Sequence, residues 1–82
     1  MKLPRNLSSG ELVFILDKYG YRTTHQTGSH LRLTTDFKKV KHHITIPVTN
    51  SIRIGTLNSI LNEIAAYLDI DKKILIQELF QS

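Results

Sequence analysis

Apolar residues recur along this chain in two different periods, and the switch between them outlines the fold. Leu12, Ile15, Leu16 and Tyr19 fall on one face of a helix. Ser8-Ser9-Gly10-Glu11 has the S-x-x-E spacing of a capping box, so that helix begins at about Ser8 or Ser9, and Gly20 stops it. From residue 21 to 47 the period drops to two. Tyr21 to His25, rich in Thr and Tyr, reads as a strand. Leu31 and Leu33 alternate with His30 and Arg32 in a second strand. His42 to Pro47 makes a third, with Ile44 and Ile46 inward, His43 and Thr45 outward, and a proline at its end that cannot donate to a ladder. Val48 to Gly55 is a connection. It leads to the cleanest helical stripe, Leu57, Ile60, Leu61, Ile64, Ala65 and Leu68, with Thr56 as its cap. Asp71 caps a short last helix holding Ile74, Leu75, Leu79 and Phe80. The predicted order is α-β-β-β-α plus a terminal helix. This is an α+β fold whose three-stranded antiparallel sheet buries one face under the helices and leaves the other open.

The hairpin between the first two strands admits more than one register. A two-residue Thr27-Gly28 loop sets Gln26 against Ser29 and puts the polar Arg22, Thr24 and Gln26 on the same face as Leu31 and Leu33. A three-residue loop, Gln26-Thr27-Gly28, sets His25 against Ser29. Tyr21, Thr23, Ser29, Leu31 and Leu33 then share a face, and Gly28 takes the left-handed position of a type I turn plus bulge. The second register buries more apolar surface and is the expected one. It places Arg22, Thr24, His30 and Arg32 on the open face.

Composition narrows the function classes. Eighty-two residues, 40% of them apolar, suit a single domain spanning 1–82. No cysteine is present, so neither a disulfide framework nor a thiolate metal site is expected. The opening Met1-Lys2-Leu3-Pro4-Arg5 lacks the apolar core of a signal peptide, and no apolar run approaches the roughly 20 residues that span a bilayer. A cytoplasmic protein without a membrane partner is the expectation. The net charge of +4 is unevenly spread: residues 1–54 hold nine of the eleven Lys/Arg and three of the seven Asp/Glu. Basic charge thus concentrates where the sheet is predicted, which suits a polyanion such as nucleic acid; surface lysine serving solubility accounts for the same balance.

His30 is the sharpest chemical candidate. It follows a tight turn and shares a strand face with Arg32, pairing a group that titrates near neutral pH with a phosphate-binding guanidinium. The third strand is expected to bring His43 nearby. Together these offer what metal-free RNA cleavage needs: a group to take the 2′-hydroxyl proton, one to protonate the leaving oxygen, and a cation for the charged phosphate. His42 and His43 point to opposite faces and cannot chelate one metal from a regular strand, so His42 belongs at the core rim. A metal site on His25, His30 and His43 would need carboxylates that the sheet segments lack, Asp36 aside. No metal and no cofactor are expected. Lys38, Lys39 and Lys41, on the loop before the third strand, and Arg22 on the open face are candidate phosphate contacts.

The chain closely resembles the HicA toxins of HicA–HicB toxin–antitoxin modules. The likeness is carried by an ordered set of segments: Met1-Lys2-Leu3-Pro4-Arg5, Tyr19-Gly20-Tyr21, Gln26-Thr27-Gly28-Ser29-His30, His43-Ile44-Thr45-Ile46-Pro47 and Gly55-Thr56-Leu57-Asn58-Ser59-Ile60-Leu61. The resemblance implies a fold like the double-stranded-RNA-binding domain and activity as a ribosome-independent mRNA interferase. It also implies neutralisation by a HicB-like antitoxin that covers the active site. The family's catalytic histidine falls on His30 and its motif glycine on Gly28, beside Ser29; Arg32 and His43 as helpers come from the residues themselves. Two readings compete with the toxin: a non-catalytic RNA-binding module of the same fold, and a protein-interaction domain whose basic face serves an acidic partner. The opening of the second helix, Gly55-Thr56-Leu57-Asn58, lacks the lysine cluster of an ordinary double-stranded-RNA-binding domain.

Overall fold

Ser8 starts the first helix as its spacing predicts. In the computed structural model, which describes residues 3–80, the Ser8 hydroxyl accepts the Glu11 N–H at 3.1 Å and the Glu11 carboxylate accepts the Ser8 N–H at 2.9 Å. Both halves of the capping box are therefore made, and the hydrogen bonds from Ser8 hold the Glu11 carboxyl below its ordinary range. Met1 and Lys2 of the opening segment lie outside the described residues. Helix α1, Ser9–Leu16, buries Leu12 and Leu16 and tightens into a 3₁₀ turn, Asp17–Tyr19. Gly20 ends it in the left-handed conformation, φ 76°.

Three antiparallel strands follow in the spatial order of the chain: β1 (Arg22–Gln26), β2 (His30–Thr35) and β3 (His42–Pro47). Leu33, Ile44 and Ile46 are buried, while their strand neighbours Arg32, His43 and Thr45 are exposed. Helix α2, Ile54–Leu68, lays its predicted stripe of Leu57, Ile60, Leu61, Ile64, Ala65 and Leu68 into the same core. The α-β-β-β-α order with one open sheet face is thus the observed fold. Among the described residues no helix is long and apolar enough to cross a membrane.

Two helix details differ from expectation. Helix α2 begins ahead of Thr56, with Arg53 in the cap position and no side-chain cap. Its start is set by tertiary packing: Ile52 is buried and its N–H donates to the Leu7 carbonyl at 2.7 Å, which fixes the chain one residue before the cap. Helix α3, Lys72–Phe80, is capped by Asp71, whose carboxylate accepts the Lys73 N–H at 2.7 Å, as predicted. Its inward residues are Leu75, Ile76 and Leu79, whereas Ile74 is 50% exposed. Three consecutive apolar residues, Ile74-Leu75-Ile76, leave the helical phase undefined, and packing on α2 decides it.

The hairpin corrects the sequence reading more deeply. Gln26 pairs with Leu31 and His25 with Arg32, so His25 does not face Ser29. The loop is the pair Gly28-Ser29, flanked by Thr27 and His30, with the Thr27 N–H on the His30 carbonyl at 2.9 Å. Thr27 replaces the conformational work expected of glycine: its hydroxyl accepts the Ser29 N–H at 3.3 Å and the His30 N–H at 3.0 Å. Gly28 has no positive φ; Gly20 is the glycine that does. A bulge at Thr24 then shifts the register, restoring Thr23 opposite Leu33 and Arg22 opposite Thr34.

Among the described residues every buried side-chain polar group has a hydrogen-bond partner. The buried Thr35 hydroxyl donates to the Tyr19 carbonyl at 2.7 Å and accepts the Phe37 N–H at 3.1 Å. His42 sits at the core rim, its Nδ1 2.7 Å from the Tyr21 hydroxyl and its ring stacked on Tyr67, centroids 4.7 Å apart. Burial pushes the Tyr21 hydroxyl far above its usual range, so it stays protonated beside His42. Burial also lowers His42 below its ordinary 6.5, outweighing an upward pull from Glu63 and adding to a smaller downward push from His43.

Two predictions follow from this packing. A Cβ on Gly20 would meet the Thr35 hydroxyl at 3.0 Å in a left-handed backbone, whereas nothing lies within 4 Å of one on Gly28. In urea unfolding, Gly20→Ala should cost about 1–2 kcal/mol and Gly28→Ala should stay within about 0.5 kcal/mol of wild type; equal losses would contradict this difference. The unfolded chain protonates His42 before the folded one does, so its contribution is intact above about 6.5 and is lost as pH falls through the lower folded value. The urea midpoint should therefore drop on acidification below that pH, and His42→Phe should flatten this part of the drop.

Candidate functional site

The pleat of β2 sets the site. With Leu31 and Leu33 turned to the helices, His30, Arg32 and Thr34 project from the opposite face. Strand β3 adds His43 and Thr45 to that face, and β1 adds Arg22, Thr24 and His25. The Thr24 bulge is what brings His25 there, directly opposite Arg32. That residue was not among the expected site residues, because nothing in the residue pattern marks a bulge in a strand that is exposed along its whole length.

Arg32 stands among three of the four histidines. His25 faces it across β1, a pairing with Cβ atoms about 4.5–5.5 Å apart. His30 precedes it by two residues on the same strand, about 7 Å away. His43 is its diagonal neighbour on β3, at about 7–8 Å. His30 itself pairs with Pro47 and His43 with Thr34. The two histidines are thus four residues apart along the sheet, about 13 Å, with Arg32 between them. His43 thus shares the open face with His30 and Arg32 without being adjacent to His30.

Hydroxyl groups orient two of these rings. The Ser29 hydroxyl lies 2.9 Å from His30 Nδ1, which leaves Nε2 as the free ring nitrogen. Across the sheet the hydroxyls of Thr24 and Thr34 are 2.8 Å apart, and Thr34 Oγ1 is 2.8 Å from His43 Nδ1. Thr24 also donates to the Arg32 carbonyl at 3.3 Å, which ties the bulge to the centre of the face.

Thr24, His25, Arg32, Thr34, Lys41 and His43 line a shallow depression of about 440 Å³. It adjoins a smaller one whose lining includes Arg22, Asp36 and Lys41. His30 lies beyond the rim, toward the turn. Lys38 and Lys39 belong to neither hollow and sit on the exposed β2–β3 loop. Among the described residues the one ion pair, Lys18–Glu78 at 2.9 Å, lies away from this face, so the cations of the open sheet have no carboxylate bound to them. A larger groove of about 620 Å³ is built from the helices, lined by Leu3, Arg5, Ile54, Asn58, Asp71, Lys72, Lys73 and Ile76. It contains no histidine; the four histidines of the chain are all on the sheet.

Such a face combines imidazoles with unpaired guanidinium and ammonium groups in open reach of a polyanion. Residues 9–65 match the family described as HicA toxin of bacterial toxin–antitoxin systems, a stretch that runs from the first turn of α1 through the entire sheet and most of α2. No curated protein and no solved structure matched the chain. The family match includes His30, Arg32 and His43 and carries with it a cognate antitoxin as partner. The chain belongs to the HicA toxin family and is the toxin component of a toxin–antitoxin module.

Proposed function

We propose that this toxin is a ribosome-independent endoribonuclease that cleaves mRNA by acid–base chemistry on the open sheet face. The observation that carries the reading is the placement of Arg32 among His30, His25 and His43, with no carboxylate to neutralise it among the described residues. Arg32 holds the scissile phosphate and stabilises the charge that builds on it. His30 Nε2 exchanges a proton with one side of that phosphate, as general acid or base. The second proton group comes from the other side of Arg32. His25 is the closer partner there, and His43, oriented by Thr34, flanks the same phosphate from β3.

In this chemistry the 2′-oxygen loses its proton to one imidazole and attacks the adjacent phosphorus. The bond to the 5′-oxygen breaks, and that oxygen takes a proton from the other imidazole. The products are a 2′,3′-cyclic phosphate and a free 5′-hydroxyl. Arg22, Lys38, Lys39 and Lys41 hold backbone phosphates on either side. Neutralisation follows from covering the same face, the task of a HicB-like antitoxin.

Purified wild type should cleave single-stranded RNA in the presence of EDTA and leave cyclic phosphate ends. His30→Ala should lose roughly 10²- to 10⁴-fold in kcat while still binding RNA. A mutant that cuts RNA and arrests growth like wild type would remove His30 from the chemistry. Wild type that binds RNA and never cuts it would make the protein an RNA-binding module instead. His25→Ala and His43→Ala identify the second group: its loss removes one limb of the pH–rate profile, whereas loss of a phosphate contact raises KM with the profile intact.

A further inference from the structure

The β2–β3 loop, residues 36–41, has a composition that cleavage at His30 does not explain. Its two apolar side chains turn to solvent, Phe37 being 54% and Val40 69% exposed, and they alternate with Lys38, Lys39 and Lys41. Yet the loop is firmly held. The Tyr67 hydroxyl, from α2, accepts the Lys38 N–H at 2.8 Å and donates to the Val40 carbonyl at 2.5 Å. The Lys39 N–H closes on the Asp36 carbonyl at 2.7 Å with a left-handed backbone at Lys39, φ 66°. The Phe37 N–H donates to the buried Thr35 hydroxyl, and the Phe37 ring meets Tyr19 edge to face, centroids 5.5 Å apart. An exposed aromatic ring fixed at its backbone and braced on one side has already lost the freedom that binding would otherwise remove.

We propose that this loop grips single-stranded RNA, with Phe37 stacking on one unpaired base and Lys38, Lys39 and Lys41 holding the phosphates around it. The proposal rests on the endoribonuclease reading above and adds to it a binding point remote from the scissile bond. Aromatic rings interleaved with cations bind single strands because every base has a face to stack and every nucleotide a phosphate to neutralise. The geometry connects the loop to the cleavage centre: the six residues of β2, His30 to Thr35, span about 17 Å. Arg32 and Lys41 line the hollow between the two ends. A strand cut at His30 and stacked on Phe37 therefore follows β2 from end to end and turns over the end of the sheet, where Phe37 meets Tyr19. Bases within a duplex are stacked on each other and offer no such face, so the loop also selects unpaired RNA.

The test uses the full chain carrying His30→Ala, which keeps the substrate intact, and a fluorescein-labelled single-stranded oligoribonucleotide of mixed sequence titrated over a range of salt. Adding Phe37→Ala should weaken binding about ten-fold or more, without changing the slope of log K against log salt. Phe37→Trp should keep the parent affinity. Lys38→Ala should lower the slope by about one. Unchanged affinity in Phe37→Ala, with the parent binding RNA, would overturn the stacking role and leave the ring to a protein partner. A slope that changes together with affinity would show that the ring only shapes the loop, and would equally overturn it. A His30→Ala parent that binds no RNA would instead bring down the endoribonuclease reading, and this proposal with it.

Discussion

One constraint governs the molecule: a pleated sheet covered by helices on a single side. Burying Leu33, Ile44 and Ile46 obliges Arg32, His43 and Thr45 to point the other way, because adjacent strand residues cannot share a face. The core and the candidate site are therefore two readings of the same alternation. A one-residue slip of β2 against β3 would send Arg32 into the core and expose Leu33, so stability itself enforces the arrangement of the open face. In so small a domain, that coupling lets the residues of the candidate site be exposed without losing their positions.

Where burial is one-sided, the chain could be read. The stripe of α2, the alternation of β2 and β3, the capping box at Ser8 and the cap at Asp71 each follow from a local period or a local hydrogen bond, and each is found in place. Reading failed where burial is silent. Every residue of β1 is exposed, so no apolar pattern reveals the bulge at Thr24, and the register of the hairpin falls to the Thr27 hydroxyl instead of Gly28. The start of α2 depends on the contact of Ile52 with Leu7, which is distant in sequence. Ile74-Leu75-Ile76 is apolar throughout and leaves the phase of α3 open until it packs.

These misses matter for the site. The bulge is the device that turns His25 toward Arg32, and the register of β3 is what holds His43 four residues from His30. The candidate site is consequently centred on Arg32, with His30 at one end and the lysine-bearing loop at the other. Tyr67 links that loop to the core, its hydroxyl on the loop backbone and its ring on His42, so the same helix that stabilises the sheet also shapes the approach to it.

The open face is the central claim, and chemical-shift mapping tests it most directly. Full-length His30→Ala, labelled with ¹⁵N and ¹³C, would be titrated with a single-stranded oligoribonucleotide. Shifts should concentrate on His25, Arg32, Thr34, Lys41 and His43, with the resonances of α3 left nearly unmoved. Shifts concentrated instead on Arg5, Asn58 and Lys72 would put RNA in the groove between the helices and contradict a catalytic sheet face.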